Sequence, residues 1–208
     1  MTEAAPSDLF REQLLDSMLE IAPEAGWSHA ALAKAGDRAG LSEGQVHLAT
    51  PHGVTDLLEA FAARAARAAA GRLGEADVGV LKVREKVKAG VKAWLAYLAT
   101  HKAAVKRAAA TPANLLTGPK GLWAAADAIW TALGDKSTDF NWYTKRTILS
   151  GLLGATLAAW MGTDDEAAVD AFLDRRIENV MQFEKFKAQA KDAFAKMPDP
   201  MDIFGQRK

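Results

Sequence analysis

Residues 26–61, GWSHAALAKAGDRAGLSEGQVHLATPHGVTDLLEAF, read as two short helices across a tight turn, followed by the start of a long helix. Ser28 is placed to open the first, which runs to about Ala35. Asp37 to Gly40 make the turn, and Leu41, Ser42, Glu43 and Gly44 open the second helix, which stops before Pro51. Gly53 then precedes an Ala-rich helix from Val54 to about Leu73. The arrangement is a helix-turn-helix. Its charge does not suit DNA: between Gly26 and Ala60 two bases, Lys34 and Arg38, stand against four acids, Asp37, Glu43, Asp56 and Glu59, a net of minus two. Phosphate contacts need Lys, Arg or helix N-termini, and base readout needs side chains such as Arg, Asn or Gln on the second helix. Between Leu41 and Ala49 only Gln45 and His47 are candidates, and both equally suit a solvated face.

Outward from this stretch the chain reads as helix throughout. Its 208 residues include 44 Ala, mostly in runs with Lys, Arg, Glu and Leu, all helix formers. Before Gly26, Phe10, Leu14, Met18 and Ile21 form a helical stripe that Pro23 and Gly26 are expected to end. After it, Val87, Val91, Trp94, Leu95, Leu98 and Val105 keep one helical spacing from Val83 to about Ala110. Pro119 suits the first turn of the next helix, which carries Leu122, Trp123, Ile129, Trp130 and Leu133 and stops at Gly134. A helix from about Asp139 is apolar on all sides between Ile148 and Met161, so it is expected to be covered by the core and by a second subunit. Thr163 and Glu166 have capping-box spacing for a last helix that reaches toward Met197. The fold class is therefore all-α. It divides into a helix-turn-helix-like domain (1–53), a helical bundle (54–181) and a basic amphipathic helix with its tail (182–208).

Several function classes drop out. Lys plus Arg equal Asp plus Glu at 26 each, which removes the global pull on nucleic acid, and there is no Cys for a thiolate, disulfide or Cys-type zinc site. The four His, at 29, 47, 52 and 101, show no i, i+3 pairing with Glu, and no phosphate loop, dinucleotide fingerprint or nucleophile elbow is present. No catalysis, cofactor or metal is expected. The opening MTEAAPSDLF has neither an apolar nor an Arg-rich targeting pattern, and the uncharged run Thr147–Thr163 is shorter than the ~20 residues of a membrane span, which suits a cytoplasmic protein.

The helix-turn-helix outline, with Gly26-Trp27, Ala39-Gly40, Gly44 and Leu57-Leu58, resembles the amino-terminal domain of TetR regulators. The stretch LWAAADAIWTALGDKSTDFNWYTKRTIL (122–149), followed by FLDRRIENVM (172–181), resembles the lipid-binding accessory proteins of ubiquinone biosynthesis, a TetR-like family that does not regulate transcription. The decapeptide Ser137–Arg146 is its most distinctive part. The resemblance implies an all-helical homodimer that holds an isoprenoid or phospholipid and assists the di-iron demethoxyubiquinone hydroxylase. It also implies a partner-binding surface of Asp127, Ile129, Asp139, Trp142, Tyr143 and Arg146. On a helix starting near Asp139, residues 139, 142, 143 and 146 share one side, and Trp, Tyr and Arg are the residue types that dominate interface energetics. On this reading Trp142 is an exposed anchor and Arg146 a rim charge; otherwise Asp139 caps the helix, Trp142 is core and Arg146 is a surface ion-pair partner.

A lipid needs an apolar cavity, and Trp94, Leu95, Leu98, Leu122, Leu152 and Thr156 are the candidates to line it, although the same residues would also fill a core. Near the C-terminus Phe183, Phe186, Ala190, Phe194 and Met197 fall at steps of three and four among Lys185, Lys187, Lys191 and Lys196. Phe183, Phe186, Lys187, Lys191 and Phe194 thus make a membrane-surface candidate, and the expected location is peripheral to a bacterial inner membrane; packing on the core or a dimer mate is the other use of such a helix. The competing function is a ligand-responsive TetR-type repressor. The acidic helix-turn-helix predicts no salt-sensitive nanomolar complex with DNA from the chain's own promoter in an anisotropy titration; such a complex would favour the repressor.

Overall fold

The computed structural model describes residues 5–76, 78–112, 118–138 and 140–195, with side chains as far as residue 182. Among the described residues the chain is all-helical and TetR-like, as the sequence predicts. The first helix, α1 (Pro6–Ala25), carries Pro6 in its first turn and continues through Pro23; Gly26 rather than Pro23 ends it. In the helix-turn-helix, Ser28 Oγ accepts from the Ala31 amide at 3.1 Å and opens α2 (His29–Arg38), which is longer than predicted. Gly40 makes the turn at a φ of 67°, open to Gly at no steric cost. Ser42 then caps α3 (Glu43–Ala49) reciprocally with Gln45: the Ser42 amide donates to Gln45 Oε1 at 2.8 Å, and the Gln45 amide donates to Ser42 Oγ. One of the two candidate base readers is thereby committed to a helix cap.

The long α4 (Val54–Glu75) lies at the centre and packs against α1, α5 (Val83–Ala99) and α7 (Pro119–Ala132). The single helix predicted from Val83 to Ala110 is two, α5 and α6 (Lys102–Ala109). Thr100 breaks it by donating its hydroxyl to the Tyr97 carbonyl at 2.7 Å, and His101 turns in to meet Phe61 at 5.8 Å between ring centroids. Trp27 stacks on Phe61 and donates its Nε1 proton to the Ala104 carbonyl at 2.9 Å, tying the helix-turn-helix to the body. One continuous core accordingly runs from Leu14 to Ile177.

The remaining helices are α8 (Phe140–Gly162) and α9 (Glu166–Ala195). The predicted capping box does not form at α9: Asp165, not Thr163, accepts from the Ala167 and Ala168 amides. Leu149, Leu152, Leu153, Thr156, Leu157 and Trp160 of α8 are buried, while Gly151, Ala158 and Gly162 leave a stripe of small residues exposed. A three-rung ion ladder fixes the register of α9 on α5: Arg84 to Glu178 at 2.8 Å, Lys88 to Asp174 at 2.8 Å and Lys92 to Asp170 at 2.6 Å. Such part-exposed pairs each contribute about 0.2–1 kcal/mol.

The crossing of α5 and α7 depends on a missing side chain. A Cβ on Gly90 would lie 2.5 Å from Ile129 Cγ2, inside contact distance. Gly90→Ala gains up to ~1 kcal/mol of helix propensity, yet overpacking costs about 1–3 kcal/mol. A net fall in melting temperature is expected in calorimetry, and an unchanged or raised value would show that Ile129 is free to yield.

Candidate functional site

The sequence features converge on the corner where α7 turns into α8. The first turns of α8 bring Phe140, Trp142, Tyr143, Lys145 and Arg146 beside the end of α7, and Gly134-Asp135 makes the connection. Arg146 is the centre. It is only 2% exposed; its Nε donates to Asp127 Oδ1 at 2.6 Å on α7, and its Nη1 donates to Asp135 Oδ2 at 3.1 Å. Asp135, its side chain 4% exposed, also accepts from Lys145 Nζ at 2.6 Å and from the Ser137 hydroxyl at 2.7 Å. Burial alone would raise the Asp135 carboxyl's pKa, but hydrogen bonds from Lys145, Ser137 and Arg146 outweigh it and hold the carboxyl well below the usual range.

On this base stands a cluster of aromatics. The Arg146 guanidinium lies 4.1 Å from the Trp142 ring centroid. Trp142 meets Tyr143 at 4.7 Å and Trp123 at 5.7 Å. Tyr143 is 60% exposed and Phe140 77%, so the patch presents large apolar surface to solvent over a fixed charge. Edge-to-face pairs of this kind add about 0.5–1.5 kcal/mol each.

Beside the patch, under Lys145, is an apolar slot of about 170 Å³. Val83 and Val87 of α5, Trp130, Ile148, Leu149 and Leu152, and Ile177, Val180 and Met181 of α9 wall it, with Arg84 and Lys145 at its edge. Lys145 Nζ sits 5.4 Å from the Trp130 centroid. A groove of about 380 Å³ on the outer α8–α9 face shares Ile148, Leu152 and Val180 with the slot.

The structure brings Asp127, Trp142, Tyr143 and Arg146 together and corrects two roles. Ile129 is fully buried against Gly90, because a residue two positions from Asp127 points to the other side of the helix. Arg146 is a buried support rather than a rim charge, and Trp142 is half-buried, between the two roles open to it. Asp139 lies outside the described residues. Of the candidate lipid contacts, Leu152 lines the slot, and Leu95 lines a separate shallow cavity beside Trp160. Trp94, Leu98 and Thr156 are packed in the core away from the described cavities, the Trp94 Nε1 proton without an acceptor among the described residues, and Leu122 packs toward Gly154. Phe183, Phe186, Lys187, Lys191 and Phe194 fall on α9 where the described side chains have ended.

Trp123, Asp135, Phe140 and Lys145, with Trp130 at the slot, are site members that the sequence does not single out. Trp123 was within reach, since 123, 127 and 130 share a helix face. Asp135 sits in a turn, where no periodicity marks it. Among the described residues no group of His, Asp and Glu is arranged to hold a metal, and no helix is long and apolar enough to cross a membrane.

Fold and site together define a TetR-like helical protein built around an ion-supported aromatic surface and an apolar slot. Residues 115–184, which contain that corner, match the COQ9 family model. Over 193 residues the chain is 26% identical to the mitochondrial ubiquinone biosynthesis protein COQ9 of Rattus norvegicus, covering 87% of this chain and 62% of that protein. The Bos taurus protein of the same name gives 26% identity over 87% of this chain and 60% of its own length. A probable ubiquinone biosynthesis protein coq9 of Dictyostelium discoideum is 35% identical over 80 residues, 38% of this chain and 26% of that one. The resemblance read from the sequence is borne out: the chain is similar to the COQ9 proteins, and it spans about three fifths of the length of the rat and bovine ones.

The depressed Asp135 carboxyl sets an acid-side prediction. Its stabilising contribution is complete above the unfolded value of about 3.9 and is lost as pH falls below it toward the folded value. Urea titrations from pH 7 to pH 3 should show the wild-type unfolding free energy falling below about pH 4 more steeply than that of Asp135→Asn, which starts lower at neutral pH. Parallel curves would contradict the network.

Proposed function

We propose that this chain is a non-catalytic, lipid-binding accessory protein of ubiquinone biosynthesis that presents an isoprenoid quinone precursor to the di-iron demethoxyubiquinone hydroxylase. The observation that carries the reading is the juxtaposition at the α7–α8 corner, inside residues 115–184, of an exposed aromatic patch and an apolar slot that α5 completes from outside that range. Ligand pockets are usually about 300–1,000 Å³, so the slot holds one end of a chain and the adjoining groove holds more of it. Trp142 and Tyr143 anchor the hydroxylase, with Asp127 and Arg146 fixing their geometry.

The part of the exposed small-residue stripe of α8 that does not line the groove, Ala158 and Gly162, takes a second copy of the chain, giving the homodimer. The basic α9 end, with its Phe residues at helical spacing, meets the membrane surface from the cytoplasmic side. On α3 the outward residues Glu43, Gly44, His47 and Leu48 offer DNA no cation, which sets the repressor aside.

Mass spectrometry of an organic extract of the purified protein should recover an isoprenoid or phospholipid in stoichiometric amount; a lipid-free extract from protein purified without detergent would overturn the lipid part of this reading. Tyr143→Ala should cost about 0.5–1.5 kcal/mol of stability, the worth of its edge-to-face contact with Trp142, while weakening the hydroxylase complex by about 2 kcal/mol, close to thirtyfold. Calorimetry and a titration of the two proteins read the two effects separately. Unaltered affinity would remove Tyr143 from the interface.

A further inference from the structure

One buried carboxylate holds the cation of each site. Asp135 Oδ1 accepts from Lys145 Nζ at 2.6 Å and Oδ2 from Arg146 Nη1 at 3.1 Å. Each cation also lies over an indole: Lys145 over Trp130, which walls the slot, and Arg146 over Trp142, which belongs to the patch. The two cations differ in freedom. Lys145 has a side chain 40% exposed and a flexible stem, so it can exchange partners readily, whereas Arg146 is 2% exposed and clamped by Asp127 as well. Arg84, the other cation at the slot, is engaged in the ion ladder with Glu178 at 2.8 Å. An anion arriving at the slot mouth therefore meets Lys145 as the exchangeable partner.

We propose that Asp135 is a positioning residue that couples the slot to the patch. The occupant is an amphiphile with an anionic head on an apolar chain; of the two lipid classes named above this is the phospholipid, a quinone head being uncharged. Its chain enters the slot and its head draws Lys145 away, and Asp135 then closes fully on Arg146 and fixes Trp142 above it. Loaded and empty protein thus present different patches, and the partner discriminates between them through that difference alone. The inference rests on the lipid reading of the slot and adds to it the charge of the head group and the route by which occupancy is reported.

The six Trp side chains make this measurable in the full chain through their indole ¹H–¹⁵N resonances, with Trp130 and Trp142 assigned by Trp→Phe replacement. Decanoate and decanol serve as probes with matching chains and different heads. With decanoate, Trp130 and Trp142 should shift along one saturation curve; with decanol, Trp130 alone should shift. In Lys145→Met, Trp130 should respond to both probes and Trp142 to neither. Asp135→Asn should behave the same way, but because it also weakens the fold, Lys145→Met decides. A Trp142 resonance that stays fixed while Trp130 saturates with decanoate overturns the coupling, as does one that shifts equally with decanol or persists in shifting in Lys145→Met. All three failures leave the lipid reading standing. A Trp130 resonance unmoved by either probe overturns the lipid reading of the slot, and the coupling with it.

Discussion

A guanidinium with almost no access to water, held by two carboxylates from the helix and turn that precede it, is the constraint on which this structure turns. Burying Arg146 between Asp127 and Asp135 does little for net stability, because desolvation offsets most of the Coulombic gain. What it does is directional: removing one partner of such a pair costs about 3–5 kcal/mol, so alternative settings of α8 against α7 are excluded. The angle of that corner decides where Trp142 and Tyr143 stand and how closely Ile148 and Leu152 approach α9 across the slot.

The frame behind the corner is stiff for separate reasons. Gly90 lets α5 close on Ile129, the ladder of Arg84, Lys88 and Lys92 sets α9, and Trp27 bonds the helix-turn-helix to α6. The helix-turn-helix retains its capping and its tight turn, while Glu43 is the exposed charge on α3 and Gln45 is taken up by Ser42. Leu32, Ala35 and Ala49 of the helix-turn-helix extend the core over α1. Fold and DNA chemistry are separable, since the first is specified by buried residues and turns and the second by exposed cations.

Helical periodicity, proline and glycine placement made most of the nine described helices legible, because each of these signals is local. The break at Thr100-His101 was not, since the residues there form helices well and the turn answers to Phe61, far away in the chain. The α9 cap was misplaced by two residues because the helix starts later: Thr163 accepts from the Asp165 amide, and Asp165 takes the amides of the first turn. At the site, the spacing of Trp142, Tyr143 and Arg146 put the right residues on one face, but spacing does not tell which member points into the protein. Asp135 needed the fold itself, as a turn carboxylate takes its meaning from the two cations that reach it. The slot draws Val83, Trp130, Leu152 and Ile177 from four different helices, so no single stretch of sequence marks it.

The most direct test of the account is hydrogen–deuterium exchange on the full-length chain, alone and with the di-iron hydroxylase. The account predicts new protection confined to the α7–α8 corner, in peptides covering 123–130 and 140–147, with α1 to α3 unchanged. Protection centred on α3 and the first turns of α1, or a corner that exchanges identically with and without the hydroxylase, would contradict it.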